Sequence, residues 1–81
     1  MTASDDPSLR AVALAKLTRV LGVDRSEQEL ALALAELELS AIATVDDLDR
    51  VAQVLQRRPG FVATVGAMLA VDVAMRRLRA S

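Results

Sequence analysis

The charged side chains that this sequence of 81 residues could bring to a reaction are eleven carboxylates and ten Lys or Arg. There is no His and no Cys. That removes the commonest general base, the thiolate nucleophile and the usual ligands of zinc and iron. Glu27, Glu29, Glu36 and Glu38 are close enough in sequence to offer a carboxylate pair. Their spacing instead reads as the solvated polar face of one helix. Gly22, Gly60 and Gly66 lie far apart, so no glycine-rich loop can cradle a phosphate. We therefore expect no catalytic residue, no cofactor and no bound metal.

The basic residues are unevenly placed. Residues 1–56 carry a net charge of −5, and residues 57–81 carry +4. Arg57, Arg58, Arg76, Arg77 and Arg79 supply the positive end. Two readings fit them. Basic groups in the last turns of two helices complement the helix dipole. Alternatively, guanidinium groups form a contact for an anion or an acidic partner. If the last two helices are antiparallel, the Arg pairs fall at opposite ends, and Arg76 comes near Asp46 and Asp47. That favours internal pairing or an acidic protein over a broad nucleic-acid surface.

These groups must be positioned by helices. Hydrophobic residues make up 53% of the chain but only one, Phe61, is aromatic. The remainder is rich in Ala, Leu and Val, and Ala and Leu are strong helix formers. Residues 1–6 read as a tail, with Asp6 capping a first helix that begins near Pro7 and ends at Gly22. Leu9, Val12, Ala13, Leu17, Val20 and Leu21 form its apolar stripe. A capping box from Asp24 to Glu27 opens a second helix that runs to about Ala43. Its two apolar stripes, Leu30, Leu34, Leu37 and Ala41, then Leu32, Ala35, Leu39 and Ile42, predict a central, sandwiched helix. A second capping box, Thr44 to Asp47, opens the third helix, striped by Leu48, Val51, Val54 and Leu55. Pro59-Gly60 breaks it, and a fourth helix follows to about Arg79. The expected fold is all-α: one domain over 7–81, a compact four-helix bundle of short helices completed by oligomerisation.

The fourth helix carries the functional expectation. Ala63, Ala67, Ala70 and Ala74 make a small-residue face suited to close packing on the second helix. Val62, Val65, Leu69 and Val73, with Met68, make a bulky face left for a second subunit. The bland alternative places this helix in the middle of a monomeric bundle. An 81-residue chain buries only about 60% of its unfolded surface, so its apolar surplus needs a partner.

Two resemblances bear on function. Ile42-Ala-Thr-Val-Asp-Asp-Leu48 resembles the start of the last helix of acyl carrier proteins, over about ten residues. That family implies a phosphopantetheine arm on an Asp-Ser-Leu motif. None of Ser4, Ser8, Ser26, Ser40 and Ser81 sits in one, so the likeness is that of a capping box. Val51 to Leu55, Pro59-Gly60 and Phe61 to Val65 resemble a helix-turn-helix. That implies a DNA-binding regulator, but the recognition helix would present Val, Ala, Met and Gly rather than groups that read base edges. The expected function is a small helical protein–protein interaction module, an assembly or adaptor subunit acting by helix–helix packing. A homo-oligomer or a protein partner is expected and nucleic acid is not. The polar first residues and the 59–71 uncharged run, too short for a bilayer, predict neither secretion signal nor membrane span. Absence of Cys fits the cytoplasm.

Overall fold

The computed structural model describes residues 9–80. They form four helices, α1 (Leu9–Leu21), α2 (Val23–Leu37), α3 (Val45–Gln56) and α4 (Phe61–Ala80), with no strand among the described residues. The all-α four-helix expectation holds. The tail over residues 1–6 and the cap at Asp6 lie outside the described residues.

Helix ends follow local chemistry, with two corrections. Gly22, at φ 85°, turns the chain from α1 into α2 in one residue. The second helix therefore begins at Val23, and Asp24 sits in its first turn instead of capping it. A hydroxyl pair braces this corner: Thr18 Oγ1 and the buried Ser26 Oγ lie 3.0 Å apart. The Leu14 carbonyl lies 2.7 Å from the Thr18 hydroxyl, and the Val23 carbonyl lies 2.7 Å from that of Ser26. With one proton each, one hydroxyl donates to its carbonyl while the other donates either to its own carbonyl or across the pair.

The second correction is the end of α2, which stops at Leu37 and not near Ala43. Glu38 takes the left-handed conformation, φ 58° and ψ 38°. Its N–H donates to the Ala35 carbonyl at 3.1 Å, and the Leu39 N–H donates to Leu34 at 2.9 Å. This is the Schellman closure usually built on glycine. The exit releases the chain so that Ile42 can turn back and be buried.

The α3 capping box forms as expected. Thr44 Oγ1 accepts from the Asp47 N–H at 3.1 Å, and Asp47 Oδ2 accepts from the N–H groups of Thr44 and Ala43.

Packing centres on α3 and α4, which run antiparallel: Gly66 lies against Ala52 and Gln56, and Arg77 against Asp46 and Asp49. α1 touches the other three helices, while α2 packs on α1 and α3 and makes no contact with α4 among the described residues. The second helix is thus peripheral, not central, and Leu32 from its outer stripe is half exposed at 52%. The core contains Leu17, Leu30, Leu48, Leu55, Leu69 and the valines around them.

Two substitutions test these local arguments. A Cβ on Gly66 would come 2.6 Å from the Gln56 amide nitrogen and 2.9 Å from the Ala52 carbonyl oxygen. Alanine is the better helix former by about 1 kcal/mol, but this overlap with backbone costs more. Gly66→Ala should lower stability by about 1–2 kcal/mol in urea unfolding. Glu38→Gly should act oppositely, raising it by about 0.5–1 kcal/mol through relief of the left-handed strain. A stabilised Gly66→Ala or a destabilised Glu38→Gly would contradict the respective geometry.

Candidate interaction face

Val62, Val65, Leu69 and Val73 sit in the core of the same chain, at 3%, 0%, 0% and 1% exposure. They cannot meet a second subunit, as the bulky-face assignment requires. The reason is Gly66, which shares their side of α4 and brings that side down onto α3. Met68 alone of the assigned group reaches the surface. The small residues are reversed as well. Ala67 and Ala74 are exposed, Ala63 and Ala70 are half-buried, and none contacts α2.

The outward side of α4 is apolar. Phe61, Thr64, Met68, Val71, Met75 and Leu78 follow one another at steps of three and four residues. All six are exposed, with Phe61 at 72%, Val71 at 62% and Leu78 at 75%. This is the heptad spacing that keeps one seam along a helix. Of the exposed α4 residues, none before Arg77 carries a charge. With Ala67 and Ala74 beside the seam, the exposed apolar area is roughly 500 Å², at the upper end of what one patch on a monomer shows.

Ion pairs bound this face on both sides. Toward α1, Asp72 accepts from Arg76, one turn on, and lies 3.5 Å from Lys16 Nζ. Burial pushes the Asp72 carboxyl up, but the hydrogen bond and charge of Arg76, with Lys16, outweigh it and hold the group below its ordinary value. Lys16, Asp72 and Arg79 share a shallow groove with Met68, Val71 and Met75. Toward α3, Arg77 pairs with Asp46 at 2.7 Å and Asp49 at 3.6 Å. At the other end of the bundle, Arg57 lies 3.5 Å from Glu36, and Arg58 reaches Glu29 at 3.3 Å and Glu36 at 3.5 Å.

Four of the five Arg residues singled out in the sequence are therefore engaged within the chain, and the structure does not bring the five together. Glu29 and Glu36 clamp Arg58 rather than forming a free carboxylate pair, and Glu29 is mostly covered, not solvated. Among the described residues no three acidic side chains group as a metal site. No helix among the described residues is long and apolar enough to cross a membrane. A second, smaller apolar patch lies on α2 around Leu32, with Gln28, Ala31 and Ala35. Sequence reasoning missed Phe61, Val71, Met75 and Leu78 as surface residues, although their spacing was readable as a seam. No protein-family model, curated protein or solved structure matches this chain.

The Asp72 cluster yields a pH-dependent expectation. A carboxyl whose folded pKa is lowered contributes stability above its unfolded value, and loses that contribution as pH falls through the folded one. Asp72→Asn should therefore destabilise the protein at neutral pH. The difference from wild type should shrink once pH drops below about 4. An equal difference in urea unfolding at neutral and strongly acidic pH would assign the effect to packing instead.

Proposed function

We propose that this chain is a helical protein–protein interaction module, an assembly or adaptor subunit of the cytoplasm that binds through the outward face of α4. One observation carries the reading: α4 exposes Phe61, Met68, Val71, Met75 and Leu78 along five turns, and no charged residue of the helix is exposed before Arg77. The largest apolar patch on a small protein is often its functional surface, and this one is continuous along a single helix. The face runs along five turns of one helix and is flanked by ion pairs, which suits another helix laid along it. Met68 and Met75 add side chains that adapt to a partner's contour.

The DNA-binding alternative gains no support from the geometry. α3, the Pro59-Gly60 turn and α4 do follow one another as two helices and a turn. The would-be recognition helix presents apolar groups over most of its length. The guanidinium groups of Arg57, Arg58, Arg76 and Arg77 already face carboxylates, so phosphate contact would have to displace them.

A photo-crosslinking amino acid placed at Val71 tests the surface in cells that express the protein. Glu27, exposed on α2, serves as the control position. The position-71 probe should give a discrete protein adduct and the position-27 probe should not. No adduct at 71, or the same adducts from both positions, would remove the α4 face as the binding surface.

A further inference from the structure

We infer that the occupant of the α4 face is a second copy of this chain, laid antiparallel across it about a twofold axis. The inference rests on the α4 face being the interaction surface and specifies what covers it.

Spacing comes first. The exposed seam runs Phe61, Thr64, Met68, Val71, Met75, Leu78, with steps of 3, 4, 3, 4 and 3. This series reads the same in both directions. An identical helix reversed about the point between Leu69 and Ala70 therefore meets it layer for layer. Phe61 faces the partner's Leu78, Thr64 the partner's Met75, and Met68 the partner's Val71. Each contact occurs twice, as an isologous interface requires. In the same register Ala67 falls beside the partner's Ala74, and these small exposed residues let the two helices approach closely.

Charge selects both the partner and the direction. A surface that pairs with itself must not repel itself. Lys16–Asp72–Arg76 on one flank and Asp46–Arg77–Asp49 on the other are locally paired. With the exposed Arg79, the α1 flank carries three cations and one carboxylate, and the α3 flank carries two carboxylates and one cation. Charges this few and solvent-exposed are screened within about 10 Å, too weakly coupled to reject a like copy. A parallel arrangement would gather Arg76, Arg77 and Arg79 of both copies at one end. The antiparallel arrangement separates them to opposite ends and opposes the two helix dipoles.

Area is sufficient. Roughly 500 Å² from each copy gives about 1,000 Å² in total, the lower bound for a specific interface. An interface at this lower bound falls in the weak, transient class, so association is sought over a wide concentration range.

The test uses the full chain. Sedimentation equilibrium from about 1 µM to several hundred micromolar should show conversion from one to two chain masses. Val71 is 62% exposed in the single chain, so Val71→Asp should fold normally by circular dichroism. The same change places a charge in the paired seam and should weaken association at least about a hundredfold. The sequence has no Cys, so single-cysteine variants report cleanly. Phe61→Cys and Leu78→Cys proteins, each alone with a short bis-maleimide, should stay uncrosslinked, and their mixture should form a covalent dimer.

A wild type that remains monomeric at the highest concentration overturns the inference. So does a folded Val71→Asp that still dimerises, or crosslinking of Leu78→Cys to itself, which marks parallel pairing. If the monomeric protein still gives a position-71 photo-adduct with a different protein, self-pairing fails and the interaction face stands. If it gives no adduct, both fail.

Discussion

Gly66 has no side chain, and that absence sets how α4 lies on α3. The backbone of α3 passes so close that a Cβ would overlap the Gln56 nitrogen and the Ala52 oxygen. Approach at this distance fixes the rotation of α4 about its own axis. Residues that share the glycine's side, Val62, Val65, Leu69 and Val73, must point inward, and they fill the core shared with Leu48, Val51 and Leu55 of α3. Once that rotation is set, Met68, Val71, Met75 and Leu78 have nowhere to go but out. The exposed seam is thus a consequence of the crossing, not a separate feature.

The antiparallel course that Gly66 permits also determines where charge is used. It carries the end of α4 back to the beginning of α3, so Arg77 meets Asp46 and Asp49. Asp46, in the first turn of α3, already favours that N-terminus through the helix dipole, and a basic group favours the α4 C-terminus. The cross-helix pair therefore serves both ends at once. At the opposite end, Arg58 ties α3 to Glu29 and Glu36 of α2. Surface ion pairs of this kind each contribute at most about 1 kcal/mol, so their larger effect is on orientation. They hold the guanidinium groups against the bundle and away from the outer face of α4.

Much of this was legible in the residues. Thr44 and Asp47 announced the start of α3 because the capping box is a local device with both partners in sequence. Pro59-Gly60 likewise marked the α3–α4 turn. The end of α2 was hidden because Glu38 occupies a conformation that favours glycine, and apolar residues continue past it at helical spacing to Ile42. Leu39 and Ile42 extend the stripe in sequence while belonging to a returning loop. The two faces of α4 were exchanged for a different reason. Periodicity shows that a helix has faces, but only packing shows which face is in. The alanine stripe, Ala63, Ala67, Ala70 and Ala74, looked like the close-packing surface. A single glycine on the other side took that role, because losing one Cβ allows nearer approach than four retained Cβ atoms.

What remains is why the outer face of α4 has stayed apolar. The fold does not require it. On α2, Asp24, Arg25, Glu27 and Glu36 occupy exposed positions, as expected of a solvated helix. On α3, Asp46, Arg50, Gln53 and Gln56 do the same. A polar residue at Val71 or Leu78 would cost a single chain little, since both are already mostly in water. It would also improve solubility by breaking the patch. Apolar side chains held at those positions, in heptad steps interrupted only by Thr64, are the observation on which the proposed pairing rests. Covering them removes from water the area that so small a core leaves uncovered. Under the proposed pairing, the surface that looks like a defect of the isolated bundle becomes core that the second copy completes.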